Sequence, residues 1–210
     1  MASPADARFE RLFRALGATG EPAAAWAELA ARYSEDSRAY HTLEHVRDCL
    51  ALFDLVRAHA ADPLAVEAAL WFHDVVYDAK AKDNEERSAA LMRGLLAGAE
   101  AARLDAIERL VLATKHAAAP DAGDAALVVD VDLAILGAEP GRFERYEAAV
   151  RQEYAHLTDE QFREGRAHFL ERFLARAPLF ATVVVRERLE ARARENLGRS
   201  LERLRLGGAS

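Results

Sequence analysis

Apolar residues recur at helical spacing along most of the chain, and short polar stretches separate the segments in which they do so. The first such segment runs from Phe9 to Leu16 and ends at Gly17, and Pro22 opens the next one. In the first two thirds of the chain the predicted helices span residues 9–16, 22–31, 40–59, 64–77, 84–97, 101–116 and 127–136.

The pattern changes after Pro140, where the predicted helices become longer and more strongly charged. They span residues 142–156, 159–175 and 178–206. The Val-rich run at 183–185 is the one place where a strand would fit, but its helical flanks favour a helix. We therefore expect an all-α fold in a single domain, with a helical core over about 1–137 and a helical cover over about 138–206.

Composition agrees with this pattern. The chain has 210 residues, of which 51% are hydrophobic and 30% charged, which suits one globular domain with a sizeable core. Glycine and proline are sparse, at 11 and 6 residues, and this favours helices. The single cysteine, Cys49, excludes a disulfide within the chain.

The charge balance narrows the classes of partner. A formal charge of −7 argues against a nucleic-acid backbone or an anionic membrane surface as the main partner. No apolar stretch approaches the roughly 20 residues of a membrane span, and residues 1–10 lack the apolar core of a signal peptide. We expect a cytoplasmic protein whose partner is a small molecule, and the sequence does not indicate an oligomeric state.

Candidate chemistry begins with YHTLEH, residues 40–45. On the predicted helix, His41 and His45 share one face, and that face continues through Cys49. His73 also lies on an apolar face, and Asp74 follows it directly. A structural role alone does not explain a His-Asp pair inside an apolar helix, because buried charge is costly to desolvate. A single buried histidine, by contrast, is usually a core residue.

Two further carboxylates lie in the apolar segment LVVDVDLAIL, residues 127–136. Asp130 and Asp132 are both flanked by Val, Leu or Ile, and either one can point into the core. A buried carboxylate needs a cation or hydrogen bonds. Three inward histidines and at least two buried carboxylates therefore favour a metal site.

These segments resemble the HD superfamily of metal-dependent phosphohydrolases. His45, His73-Asp74 and Asp132 match the order His, His-Asp, Asp of that superfamily. The blocks YHTLEHV, FHDVVYD, DNEERSA and VDVDLAILG are similar to those of a family of small bacterial HD-domain proteins. The later segments VRQEY, GRAHFL and ARARENL extend the resemblance over nearly the whole chain, and it implies an HD-type helical bundle.

YHTLEHV is also similar to the opening motif of cyclic-nucleotide phosphodiesterases, which share the HD core. This resemblance implies that His41 is the general acid and that Asp74 orients the attacking water or bridges a second metal. The implied metal ligands are His45, His73, Asp74 and Asp132. Thr42 departs from the asparagine of that motif.

The implied reaction is hydrolysis of a small phosphoester, such as a nucleotide, by metal-activated water. A set rich in histidine suits Mn, Fe, Co, Ni or Zn better than Mg alone. Two alternatives remain open: a di-iron oxygenase, which needs two further histidine ligands, and a non-catalytic binding or regulatory module that keeps the metal for stability.

Several other residues are secondary candidates. His116 is a candidate for a second metal and Lys115 for a phosphate contact, although His116 also fits a cationic helix end. The candidates for the pocket are Tyr77, Asn84, Glu85 and Asp130. Asn84 and Glu85 equally suit the first turn of a helix.

Overall fold

The structure, a computed structural model, describes residues 4–116 and 122–207. Every regular element in these two ranges is helical, so the predicted all-α class is confirmed. No helix among the described residues is both long enough and apolar enough to cross a membrane. The chain divides into two compact units, residues 1–132 and 133–210.

The first unit is organised around one buried helix. Its helices are α1 (Pro4–Ala15), α2 (Pro22–Arg32), α3 (Leu43–Val56), a 3-10 turn (Arg57–His59), α4 (Pro63–Phe72), α5 (Asn84–Leu95), α6 (Ala101–Ala113) and α7 (Gly123–Asp132). Every residue of α4 from Ala65 to Phe72 is buried, and α4 packs against α1, α3, α5, α6 and α7. All of these residues but Glu67 are apolar, and Glu67 is paired with Arg8 and Arg57. A helix that is apolar on nearly every side belongs in a core, and α4 holds that place here.

Carboxylates fix the start of α4. The side chain of Asp62 accepts hydrogen bonds from the backbone nitrogens of Leu64 and Ala65, both at 3.1 Å. The Asp124 carboxylate, near the start of α7, accepts from the nitrogens of Ala61 and Asp62 at 2.7 and 2.8 Å. These bonds satisfy donors that a helix start leaves unpaired, and they tie α4 to α7.

Aromatic rings pack α1 and α2 onto α4. The ring of Trp71 meets those of Phe9 and Trp26 nearly edge-on, with centroids 5.7 and 5.8 Å apart. Edge-to-face packing is a favoured arrangement for such pairs. Trp71 lies two residues before His73, so this core supports the end of α4.

Four helices of the first unit are shorter than predicted, and one is shifted. Helix α3 begins at Leu43 rather than 40, α4 ends at Phe72 rather than 77, α5 ends at Leu95 rather than 97, and α6 ends at Ala113 rather than 116. Helix α7 spans Gly123–Asp132 rather than 127–136. Side-chain hydrogen bonds hold the residues beyond two of these ends. The Thr42 side chain caps α3, and Ser88 Oγ accepts from the nitrogen of Val76 and donates to its carbonyl. The Thr42 cap is local, but the periodicity cannot reveal the bonds of Ser88, because Val76 lies 12 residues away.

The second unit consists of a 3-10 helix (Leu133–Gly137) and the helices α8 (Pro140–Glu153), α9 (Asp159–Leu174) and α10 (Val183–Leu206). The 3-10 helix packs against α8 and α10, and α9 packs against α10. Residues 183–185 are helical, as predicted, but α10 starts at 183 rather than 178. The Glu190 carboxylate accepts hydrogen bonds from the nitrogens of Leu179 and Phe180, which keeps the preceding segment out of the helix.

A buried arginine lies at the centre of the second unit. Arg166 on α9 donates to Tyr146 Oη at 2.8 Å and to Glu147 Oε1 at 3.1 Å, and Ser200 donates to Glu147 Oε2 at 2.7 Å. Burial by itself lowers the pKa of Arg166, but Tyr146 and Glu147 raise it above its usual value. The guanidinium stays charged, and its charge is matched within the unit.

Candidate metal centre

The ends of three helices bring four potential metal ligands together in the first unit. His45 lies in the first turn of α3, His73 and Asp74 directly follow α4, and Asp132 is the last residue of α7. One ligand atom from each lies within 4.8 Å of the others. The structure therefore brings all four predicted ligands to one place.

The two imidazoles present the same nitrogen to the centre of this cluster. His45 Nε2 lies 3.0 Å from His73 Nε2 and 3.1 Å from Asp132 Oδ1. His73 Nε2 lies 3.0 Å from Asp74 Oδ2 and 3.4 Å from Asp132 Oδ1. Each nitrogen therefore faces the other ring and both carboxylates.

Hydrogen bonds on the far side of each ring fix its orientation. His73 Nδ1 lies 3.1 Å from the carbonyl oxygen of Leu70, which only accepts, so Nδ1 carries the proton in the neutral ring and Nε2 carries a lone pair. His45 Nδ1 lies 2.9 Å from the hydroxyl of Tyr40. Metal-binding histidines usually have such an outer partner, because it selects the tautomer and holds the ring.

The electrostatics of the cluster favour a cation. Burial alone raises the pKa of both carboxyls, but His73 lowers the pKa of Asp74 and of Asp132 below the usual value, with His116 and His45 adding to the effect at Asp132. Burial lowers the pKa of His73, yet Asp74 and Asp132 outweigh it and raise that pKa well above its usual value. For His45 burial dominates, and its pKa stays lowered. Two ionised carboxylates thus face two imidazoles.

The donor set fits a divalent metal ion. Two imidazole nitrogens and two carboxylate oxygens are the ligands that Mn, Fe, Co, Ni and Zn accept. The carboxyl ends of α4 and α7 add partial negative charge at the same place. The group could therefore hold a metal ion, and nothing in the set selects one metal.

His41 lies beside the cluster, not on the helix that was predicted to carry it. It precedes α3, and its ring centroid is 6.1 Å from that of His45. The ring stacks on Tyr77, with centroids 3.9 Å apart and planes 24° from parallel. The shared helix face was a wrong premise, but the structure still places His41 and Tyr77 next to the four ligands.

The two aspartates of α7 have different surroundings. Asp132 belongs to the cluster, whereas Asp130 is buried on α7 outside the set of four.

His116 Nε2 lies 3.0 Å from Asp132 Oδ2, and its φ of 53° is left-handed. Such a backbone is uncommon for histidine and is often found at functional sites. Lys115 forms an ion pair with Glu86 near the surface.

The remaining pocket candidates lie at the start of α5. Asn84 accepts a hydrogen bond from the backbone nitrogen of Asp78 at 3.0 Å and donates to the Asp78 carbonyl at 2.9 Å, so it holds the loop that carries Tyr77. Glu85 is half-buried in the first turn of α5. The hydrogen bond to Glu86 raises the pKa of Lys115, and the charge of Glu85 adds to this effect.

Sequence reasoning missed two residues of this region. Tyr40 supports His45, and its place within YHTLEH was an available signal. Arg38 lies in a stretch interpreted only as a polar turn, yet its side chain has no exposed surface and binds the backbone carbonyls of His41, Asp74 and Val75. No periodicity or motif indicates that arginine.

We compared the chain with protein-family models, with curated proteins and with solved structures, and none of the three comparisons gave a significant match.

Proposed function

We propose that this protein is a metal-dependent phosphohydrolase of the HD type that acts on a small phosphoester. The observation that carries the proposal is the convergence of His45, His73, Asp74 and Asp132 within 4.8 Å, with the His41 ring beside them. The resemblance of the sequence blocks to HD proteins supports the same reading.

Each residue then has a defined task. A divalent metal held by the four ligands would supply a Lewis acid and a water of lowered pKa. Asp74, at the rim of the cluster, accepts a hydrogen bond from the attacking water and so orients it. His41 holds a proton beside the ligands and donates it to the leaving oxygen, as a general acid must from within hydrogen-bond reach. Tyr77 restricts the His41 ring by stacking on it.

The net charge of the site favours binding of a phosphorylated substrate only when a metal is bound. Two ionised carboxylates repel an anion, and a divalent cation would cancel their charge. Lys115 already forms an ion pair with Glu86, so it is a weaker candidate for the phosphate contact. Substrate binding should therefore require metal, and the metal-free protein should show no affinity for phosphoesters.

The test combines metal analysis with turnover. Wild type, His73→Ala, His41→Gln and the control His59→Ala, an exposed histidine of the same unit, are purified untagged and analysed for bound metals. Each is then assayed with Mn²⁺, Co²⁺, Fe²⁺, Ni²⁺ or Zn²⁺ on aryl phosphates, nucleotides and cyclic nucleotides. We expect one equivalent of metal and hydrolysis in wild type and His59→Ala, no metal in His73→Ala, and metal without turnover in His41→Gln.

The same experiment addresses the oxygenase alternative. One observation favours it, since His116 lies on the second oxygen of Asp132 and can join a second metal there. Two equivalents of iron, with oxygen consumption and no phosphoester hydrolysis, would replace the phosphohydrolase proposal. Failure of wild type to take up any metal would overturn both.

A further inference from the structure

Arg38 is an unusual arginine, because its side chain is entirely buried. A buried guanidinium is costly unless its donors are bound. Nε donates to Glu35 at 3.2 Å, Nη1 donates to the carbonyls of His41 at 3.1 Å and Asp74 at 2.6 Å, and Nη2 donates to Val75 at 3.0 Å. Three of these four acceptors are backbone carbonyls.

The three carbonyls belong to two separate segments of backbone. One is the segment just before α3, which carries His41, and the other is the turn just after α4, which carries Asp74 and Val75. Neither segment lies within a helix, and each has only turn-type backbone hydrogen bonds, such as Val75 N to Phe72 O at 3.2 Å. The guanidinium therefore joins the backbone of the proposed acid to the backbone of a proposed ligand.

Aromatic rings extend the same connection. The Arg38 guanidinium carbon lies 5.2 Å from the ring centroid of Tyr33 and 5.8 Å from that of Tyr77. Tyr33 donates from its hydroxyl to the carbonyl of Trp71 at 3.0 Å, and Tyr77 stacks on His41. Arg38 thus reaches His41 both through its backbone carbonyl and through the ring against which it rests.

We propose that Arg38 is a positioning residue that sets the separation between His41 and the His73-Asp74 turn. The meaning of that separation for catalysis rests on the proposed function, but the connection between the two segments does not. Lysine cannot replace Arg38 in this role. The three N–H donors of an ammonium group radiate from one nitrogen, whereas the planar guanidinium directs a fork of donors at the three carbonyls.

The second unit offers a control arginine with the same kind of contacts, with a side chain that is 35% exposed where that of Arg38 is fully buried. Arg194 also donates to two backbone carbonyls, those of Leu174 at 3.1 Å and Arg176 at 2.6 Å, and to a carboxylate, Glu190 at 2.7 Å. Arg194→Lys removes the same kind of fork from a unit that contains none of the four ligands. Any general cost of an Arg-to-Lys change is therefore measured by this variant.

The deciding measurement is amide hydrogen exchange on the metal-free proteins. The amides of Val75 and Val76 are bonded to Phe72 O at 3.2 Å and Ser88 Oγ at 3.0 Å, and Phe53 inside α3 serves as an internal reference. We expect Arg38→Lys to speed amide exchange at Val75 and Val76 about tenfold and to leave that of Phe53 unchanged. Loss of the guanidinium contacts makes local opening of the turn after α4 easier without global unfolding. Arg194→Lys should leave both rates unchanged.

A second variant covers the case in which Arg38→Lys does not fold. Glu35→Gln keeps Arg38 and weakens its half-exposed carboxylate partner, together with the 3.7 Å ion pair between Glu35 and Arg32. Exchange at Val75 and Val76 should then rise about threefold, in proportion to the smaller loss. Exchange within twofold of wild type in every one of these variants that folds would overturn the proposal.

Comparing the turnover of two esters tests the positioning role, because a purely structural role of Arg38 would slow the hydrolysis of both equally. If Arg38 positions the acid, Arg38→Lys should slow hydrolysis of phenyl phosphate about tenfold more than that of p-nitrophenyl phosphate, whose leaving group needs little protonation. An equal fall for both esters would contradict the His41 part of the inference. A wild type that hydrolyses no phosphoester would overturn the proposed function, while the exchange rates would still decide the role of Arg38.

Discussion

Two buried clusters, one in each unit, treat charge in opposite ways. In the second unit, Arg166 is matched by Glu147 and Tyr146, and Ser200 satisfies the second carboxylate oxygen. In the first unit, two carboxylates and two imidazoles converge, with no arginine or lysine among them. One cluster balances its charge from its own side chains, and the other has an excess of negative charge and of lone pairs.

This difference separates a structural role from a functional one. A self-matched cluster gains nothing from a ligand, so its contribution is to stability and to the specificity of packing. A cluster with excess acceptors destabilises the metal-free fold. Binding of a cation to the cluster stabilises the folded protein and offsets this cost. Burial and polarity alone, which both clusters share, do not distinguish the two roles.

The largest effect is expected from breaking the matched cluster. Arg166→Met leaves the Glu147 carboxylate without its cation and should lower the free energy of unfolding by about 3–5 kcal/mol. Urea denaturation followed by circular dichroism measures this. Arg166→Met with Glu147→Leu should regain most of the loss, because no uncompensated charge remains. A loss below about 1 kcal/mol in the single variant would mean that the network is not structural.

The next effect concerns the unmatched cluster. Saturating Co²⁺, at about 100 times its Kd, should stabilise wild type by about 2.7 kcal/mol. His73→Ala should lose this increment, because its Nε2 faces every other ligand, and Arg166→Met should keep it. Melting curves with Co²⁺ and with a chelator check the expectation. Equal stabilisation of wild type and His73→Ala would place metal binding elsewhere.

A smaller effect is expected outside the four ligands. His116→Asn tolerates the left-handed backbone at this position but loses the contact with Asp132 Oδ2. The affinity for Co²⁺ should fall about tenfold, since an outer partner orients the ligand carboxylate. Isothermal titration calorimetry measures it, with His59→Ala as the control. Unchanged affinity would show that His116 does not act on the cluster.

The smallest effect belongs to the second unit and depends on pH. Burial raises the pKa of Glu190, but hydrogen bonds from Leu179, Phe180 and Arg194 outweigh it and lower that pKa. A carboxylate with a lowered folded-state pKa stabilises the protein above its unfolded value of 4.5 and loses this contribution as the pH falls through the folded value. Glu190→Gln should therefore lower Tm at pH 7 by a few degrees and flatten its fall below pH 4.5. A Tm profile parallel to that of wild type would contradict this.

Sequence periodicity predicted that the helices exist, but not where several of them end. The end of α4 depends on Arg38 and Ser88, and the start of α10 depends on Glu190. These side chains bind backbone groups that are 10 or more residues away, and a local pattern carries no trace of such bonds.

The candidate site was predicted better than its surroundings. The order of the His and His-Asp blocks pointed to His45, His73 and Asp74, which the structure brings together. Because Asp130 and Asp132 are both flanked by apolar residues, the pattern did not separate them, and only the resemblance favoured Asp132. Arg38 was not predicted, since its role depends on two segments meeting in space.

The aromatic core around α4 also determines how the protein can be observed. The chain has two tryptophans, Trp26 and Trp71, and both lie in the first unit with their rings in contact. Intrinsic fluorescence is therefore an optical signal from the unit that holds the candidate metal centre, whereas circular dichroism reports on the helices of both units. Following the two signals together during denaturation would give the order in which the units unfold, without any added label.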